Sequence, residues 1–581
     1  MSTIASSAQG AVASAHGLAT HLAAATGSGC TIDGVTGKIT GLCTAKGSIS
    51  LPVNYAALVP MLVLFGAALV VLLLSATMPK RPYTSPWPAV PGLWASITAL
   101  AGIGTVVDGL VQWHDVGGSG VVPLALGDQL FYDHMTAFFV IMFGAATVLG
   151  ALISDGYLVR EGLDGPEPYV LMLACSAGAV LMAQAAGLIS LFLGLEIMSI
   201  SLYAMSAYHR KRAASGEAGL KYFVLGSFAS AIFIYGAALI YGATGSTQYL
   251  NIISFLISNA VVHNGVLLAG MGLVIAGLAF KVAAVPFHFW APDVYQGAPT
   301  PFVGYMAAVA KAGGFAGLLR VLMLALPTQA SDWRPIIWGL ATASVLFGSV
   351  LALAQSDLKR LLAYSSVSQA GYVLIGLQPG TTGGVTAVCF YLFTYTFMVI
   401  GTFAIVGVVQ GRGEARNDLS SVRGLAARSP WLAASMLVLL LGQAGIPLTS
   451  GFLGKWVVIA AAINKGQYAL GLIGMLGAAI AAFIYLRVAL LMFMAPEPTT
   501  AVVDVEAPAM AYAGGDLQSI ATAGLSGRDT VLVLRAPPAS RLRVPTPTAA
   551  VVVICVAFTI FAGVSTPLLS LSHAITLPWY M

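Results

Sequence analysis

Charge is what this sequence has least of. Only 8% of its 581 residues are Asp, Glu, Lys or Arg, against about 25% in an ordinary soluble domain. That is too little polar surface to cover a water-exposed globule of this size. Cysteine is scarce too: there are five, with no CxxC pair and no metal-ligand spacing, so no metal site is expected. No GxGxxG or P-loop stands between a strand and a helix, and no nucleophile elbow is present, so a catalytic enzyme in its own right is not expected. The first 50 residues lack a basic n-region and a compact apolar stretch, so no cleaved signal peptide is read there. With so few charges, the formal net charge of +5 does not point to nucleic acid; its distribution carries more information.

What the chain has instead is apolar length. Hydrophobic residues make up 58% of it and the mean hydropathy is +0.89. About 20 apolar residues are needed to cross about 30 Å of hydrocarbon. Fourteen such runs stand at about 53–77, 90–113, 130–155, 167–187, 188–207, 218–245, 264–291, 301–327, 334–355, 359–377, 384–409, 430–461, 467–494 and 548–570. The expected fold is therefore an all-α polytopic membrane protein with 14 transmembrane helices. Sixteen basic residues, among them Lys80, Arg81, Arg160, Arg210, Lys359, Arg360 and Arg423, fall in loops after odd-numbered runs, against about two, Arg334 and Lys465, in the others. By the positive-inside rule both termini face the non-cytoplasmic side of a bacterial plasma membrane.

The organisation reads as an exported tail (1–50), helices 1–3 (51–160), two copies of a five-helix plan (161–330 and 331–494), a cytoplasmic loop (495–547), and helix 14 with a short C-terminus (548–581). Cys30 and Cys43 share the exported tail, where two readings stay open: a disulfide closing a small loop, or two unpaired thiols. The copies are runs 4–8 and 9–13. In each, the fourth helix contains a proline, Pro286 or Pro447, 161 residues apart, with a lysine nearby, Lys281 or Lys455. Five is odd, so consecutive copies cross in opposite senses, as in transporters with inverted repeats. A mid-helix proline costs about 3 kcal/mol, and in lipid the freed carbonyls need water or polar partners. Helices 7 and 12 are therefore expected to be broken around hydrated pockets; the alternative is a simple kink.

Six basic residues lie inside runs: Lys221, Lys281, Lys311, Arg320, Lys455 and Arg487. Glu196, in LFLGLEIMSISLY, is the acid deepest among apolar neighbours. Each charge at bilayer centre costs at least about 2.5–3.5 kcal/mol, so the set needs a reason. Lys311 lies ten residues into its run, about 15 Å deep at about 1.5 Å per residue, beyond comfortable snorkelling. Lys281 precedes the first break, and pairing with it is the natural remedy for Glu196. Lys221, near a cytoplasmic end, either snorkels or functions. His288 is either a packed histidine or a proton shuttle beside Lys281. Arg320 and Arg487 hold their protons and are expected to form structural ion pairs.

Four segments carry a resemblance. GLAFKVAAVPFHFWAPDVYQGAPTP, AVAKAGGFAGLLR, SDLKRLLAYSSVSQAGYVLIGL and LLGQAGIPLTSGFLGKW resemble the antiporter-type membrane subunits of respiratory complex I, over about residues 130–494. The resemblance implies a proton-transfer axis in which Glu196 is the helix-5 glutamate and Lys281, Lys311 and Lys455 the lysines of helices 7, 8 and 12. Lys221 and His288 are implied to be accessory. It also implies that this chain binds no cofactor itself, flavin, iron–sulfur clusters and quinone belonging to other subunits, and that its partners are neighbouring membrane-arm subunits in the bilayer.

The expected mechanism is a lysine relay. Burial lowers an ammonium pKa by up to roughly 3–5 units and a nearby carboxylate raises it again. Moving one charge against about 200 mV takes about 4.6 kcal/mol, a swing of about 3.4 in pKa, which a movable carboxylate beside a buried lysine can supply. Competing expectations are the large subunit of a multisubunit cation/proton antiporter, the membrane arm of an energy-converting hydrogenase, and a non-transporting scaffold. The APDVYQGAPTP wording favours complex I.

Overall fold

The structure is a computed structural model that describes residues 31–32, 39–40, 54–78, 91–116, 124–126, 128–259, 264–414, 417–495 and 542–564. Two units separate, residues 1–52 and 53–581. In the first, the described part is an antiparallel pair, Thr31–Ile32 with Ile39–Thr40; Cys30 and Cys43 lie outside the described residues. So does most of the expected cytoplasmic loop.

The second unit is built of helices, because in lipid a backbone must satisfy its own hydrogen bonds. In chain order these are α1 (Tyr55–Thr77), α2 (Leu93–Val116), α3 (His134–Glu161), α4 (Glu167–Gln184), α5 (Leu188–Ser206) and α6 (Ala213–Thr244). There follow α7 (Tyr249–Ser258), α8 (Gly265–Lys281), α9 (Trp290–Gly297), α10 (Thr300–Arg320), α11 (Ala330–Leu353) and α12 (Leu358–Leu377). The last are α13 (Thr382–Val409), α14 (Pro430–Ala444), α15 (Ser450–Asn464), α16 (Tyr468–Phe493) and α17 (Thr546–Val564). A two-residue strand pair, Leu124–Ala125 with Leu130–Phe131, precedes α3. Side chains cap the helices where the chain turns: Asp133 accepts from Thr136 N, Asn264 from Val266 N, and Asp357 from Arg360 N, each taking up a donor the first turn leaves open.

Eleven described helices are long and apolar enough to cross a membrane. The difference from fourteen has physical causes. The expected seventh and twelfth crossings are each split, into α8 and α9 and into α14 and α15, and α12, though 20 residues long, carries Ser365, Ser366, Ser368 and Gln369 along its length. The ten-residue α7 was not anticipated; it is too short to span.

Layering is radial. Across an apolar 18-residue stretch of each helix, only 28% is buried in α1 and 39% in α6, α11 and α16, against 89% in α13 and 100% in the segment Thr300–Ala325, α10 with the π-helical turn that ends it. Outward leucines and phenylalanines such as Leu69, Phe228 and Phe483 are exposed, as expected of a surface facing hydrocarbon. The helix carrying Lys311 is the axis of the bundle.

Candidate functional site

The first break begins where α8 ends at Lys281. Residues 282–289 do not continue the helix: Ala283 has φ 59° and the Val285–Pro286 bond is cis. The backbone groups this releases are satisfied by side chains from other elements. Val285 N donates to Ser344 Oγ at 2.9 Å, and Phe280 O accepts from Trp290 Nε1 at 2.9 Å. The Trp290 ring stacks on Tyr222 at 4.4 Å. Gly314 of α10 allows the approach, since a Cβ there would meet Val282 Cγ1 at 2.7 Å.

The Lys281 side chain is buried. Its Nζ donates to Ser199 Oγ at 2.8 Å and reaches Tyr222 OH at 3.5 Å, with the Tyr203 and Tyr222 rings 5.9 and 5.5 Å away. Glu196 stands one turn before Ser199 on α5, but among the described residues no ion pair joins it to Lys281. Its Oε1 is buried without a hydrogen-bond partner. The structure therefore captures Lys281 on a neutral hydroxyl, with the carboxylate nearby and unengaged.

Lys311, midway along α10, donates to Ser366 O and, at 2.5 Å, to Ser366 Oγ. Tyr395 OH donates to the same Oγ at 3.1 Å, and Tyr295 OH lies 3.3 Å from it. No side-chain hydrogen bond among the described residues joins Lys281 to Lys311. Starting at Ser365, next to Ser366 in the chain but joined to it by no side-chain hydrogen bond among the described residues, a connected set of polar groups crosses the interior of the second half. Ser365 Oγ bonds Tyr485 OH, which accepts from Gln369 Nε2 at 3.3 Å and lies 3.5 Å from Gln443 Oε1. Tyr391 OH bonds Gln369 Oε1, Gln369 Nε2 reaches Gln443 O at 3.0 Å, and Gln443 Nε2 donates to Thr402 Oγ1 at 2.7 Å.

The set ends at Lys455. Its Nζ donates to Gln443 O at 2.9 Å and Ala444 O at 2.8 Å, the carbonyls freed where α14 stops, and sits 4.6 Å from the Tyr372 ring centroid. Gly445 has φ 85°, and a Cβ there would meet Lys455 Cδ at 2.8 Å, so the residue beside Pro447 serves both turn and lysine. Lys281, Lys311 and Lys455 are 4%, 3% and 5% exposed, each enclosed by the bundle.

Other expected site residues fall elsewhere. Lys221 is half-exposed, paired with Glu217 at 2.7 Å and Asp293 at 2.8 Å, and Asp293 also binds Arg360 at 2.7 Å. His288 is buried beside Phe289 and Tyr364, its Nδ1 without a partner. Arg320 holds Asp133 through two bonds of 2.6 and 2.7 Å. Arg487 departs from expectation: it is exposed and bonds the Leu353 carbonyl at 3.1 Å rather than a carboxylate. Cys175, Cys389 and Cys555 are buried and free.

Sequence reasoning missed Glu414. Its side chain is fully buried, bonded through Oε2 to Arg212 at 2.7 Å and Lys359 at 3.0 Å, and through Oε1 to Tyr157 OH, Thr300 N and Thr300 Oγ1, each at 2.8 Å. Burial pushes its carboxyl pKa up, but Lys359, Arg212 and the Thr300 amide outweigh that and hold it down at about 2. From the sequence alone Lys359 reads as a loop charge. The local signal was Gly411 and Gly413, whose φ values of 70° and 71° turn the loop back into the protein.

Residues 185–481 match the family described as NADH:quinone oxidoreductase/Mrp antiporter, TM. The chain is 40% identical over 403 residues to NADH-quinone oxidoreductase subunit N of Trichlorobacter lovleyi, covering 69% of this chain and 81% of that one. It is 39% identical over 488 residues to NADH-quinone oxidoreductase subunit N 3 of Streptomyces griseus subsp. griseus, covering 78% and 88%. Among solved structures, a chain of respiratory complex I from Thermus thermophilus with bound aureothin matches with a TM-score of 0.66 and 31% identity, over 88% of this chain and 98% of that one. A chain of the Mrp complex from Dietzia sp. DQ12-45-1b gives 0.73 at 21% identity, over 90% and 97%, a likeness of fold.

Proposed function

Because the chain belongs to the NADH:quinone oxidoreductase/Mrp antiporter transmembrane family, we propose that it is the subunit N type of membrane subunit of respiratory complex I. There it translocates protons while electron transfer from NADH to quinone proceeds on other subunits. Its partners are the neighbouring membrane-arm subunits, and its place is the bacterial plasma membrane with both termini on the non-cytoplasmic side. The two five-helix segments act as inverted halves, each centred on its broken helix.

The observation that carries the reading is the row of buried lysines bonded to neutral oxygens, with polar side chains leading from Lys311 to Lys455. An ammonium held by hydroxyls and carbonyls, with no carboxylate in contact, has no fixed counter-charge, so a carboxylate that moves toward or away from it changes how firmly it keeps its proton. Glu196 is the control element. Turned toward Lys281 it favours the protonated lysine; turned away it releases that proton toward Lys311. From there the proton passes through water along the polar side chains of Ser366, Ser365, Tyr485, Gln369 and Gln443 to Lys455. Arginine would not serve in these places, because it holds its proton throughout. Lys221 and His288 lie off this path and serve as accessory groups.

The test is pumping by Lys281→Ala and Lys311→Ala complexes in inverted membrane vesicles, with NADH oxidation and assembly measured alongside. The relay predicts that pumping per NADH oxidised falls in both. Full pumping in both assembled variants excludes it. Sodium transport by this chain in cells lacking the redox arm would instead favour an independent cation/proton antiporter.

A further inference from the structure

A cleft of about 220 Å³ opens between the C-terminal ends of α3 and α13 and the start of α17, lined by Ile153, Tyr157, Arg160, Phe403, Val408 and Arg543 among others. Its chemistry is divided. Ile153, Phe403 and Val408 give apolar walls, and two guanidinium groups border the same space.

Arg160 is fixed in part: Nε binds Glu161 at 2.9 Å and Nη1 donates to Gly407 O at 2.8 Å, while Nη2 is buried with no hydrogen-bond partner. A guanidinium nitrogen without an acceptor is costly, and the Arg160 side chain lines the cleft and is 29% exposed, so an acceptor from outside the chain can reach it. Arg543 is exposed and has no ion pair among the described residues. The chain holds it over the cleft, because Pro545 packs so closely on α3 that a Cβ at Gly156 would lie 2.6 Å from Pro545 Cγ. Glu161 offsets Arg160, and Arg543 leaves the site net positive. A basic pocket between helices at the leaflet rich in anionic lipid suits a phospholipid head.

We propose that this cleft binds one anionic phospholipid, its phosphate between Arg160 and Arg543 and an acyl chain along Phe403 and Val408. The leaflet assignment rests on the orientation given under Proposed function; the binding chemistry does not.

The test is cryo-electron microscopy of the intact assembly in nanodiscs of phosphatidylglycerol with phosphatidylcholine, and of phosphatidylcholine alone in phosphate buffer. The wild type should show a headgroup with acyl density in the cleft in the first discs and not in the second. Arg543→Gln should lose it and Arg543→Lys should keep it. Equal density in both discs, a bare phosphate without chains, a protein segment in the cleft, or an empty cleft each overturns the proposal. If lipid binds on the side away from the NADH-oxidising arm, the site stands and the orientation falls. If the chain purifies apart from any such arm, the complex I reading fails, and the same discs holding the isolated chain still decide the lipid site.

Discussion

Replacing Tyr485 with Phe tests the polar path without touching a charge. The hydroxyl sits where Ser365, Gln369 and Gln443 meet, and Tyr485 is 2% exposed. Phe keeps the ring and its packing, so no cavity forms. Removing the hydroxyl leaves buried polar neighbours short of a partner, at about 1–3 kcal/mol. If that penalty enters the barrier for proton passage from Lys311 to Lys455, about 1.36 kcal/mol per factor of ten makes transfer roughly 5- to 150-fold slower. The assay is proton uptake by inverted vesicles driven by NADH, normalised to NADH oxidised and to assembled complex. Tyr249→Phe is the control, because the Tyr249 hydroxyl is buried with no hydrogen-bond partner and its loss should leave pumping unchanged. Wild-type pumping by a fully assembled Tyr485→Phe complex would refute the path.

Three further outcomes are expected. Gly445→Ala places a methyl against Lys455 Cδ at a φ of 85°, a backbone cost of about 1–2 kcal/mol for a residue with a side chain; pumping should fall with assembly retained, and an unchanged rate would separate Lys455 from transport. Lys221→Ala removes half-exposed ion pairs worth about 0–1 kcal/mol, so melting temperature and pumping should stay near wild type; loss of pumping alone would move Lys221 into the relay. Glu414→Gln should lower the melting temperature at neutral pH. Because the Glu414 pKa falls from 4.5 to about 2 on folding, its contribution is fully present above about pH 4.5 and is lost as pH drops toward 2. The gap between wild type and variant should therefore be constant from pH 5 to 8 and close below about pH 4; a gap that widens with acid would contradict the buried ion pair.

The parts of the fold legible in sequence were those where a residue type contradicts its surroundings. Lys281, Lys311 and Lys455 stand out in apolar runs, and Pro286 and Pro447 mark breaks because proline cannot donate to the ladder. The polar path was not legible. Serine, glutamine and tyrosine are ordinary in packed helices, and Gln369 meets Tyr485 across 116 residues of chain. Glu196 was expected against Lys281 because opposite charges attract, yet Ser199, one turn on, holds the ammonium instead. Glu414 was hidden by its setting, a charged loop that reads as solvated until its fold brings Lys359 and Arg212 around it.

The full enclosure of α10 has a consequence for how the protein is made. Lys311 finds its acceptors on Ser366, 55 residues later in the chain, and Arg320 finds Asp133, 187 residues earlier. When α10 leaves the ribosome, one of its charges already has a mate in the membrane and the other has none. Translocon-based scales charge about 2.5–3.5 kcal/mol for such an unmatched lysine, enough to disfavour release of this segment into bilayer alone. Holding α10 beside the insertion machinery until α12 is synthesised would remove that cost, because the central helix and its later neighbour would then enter the lipid together.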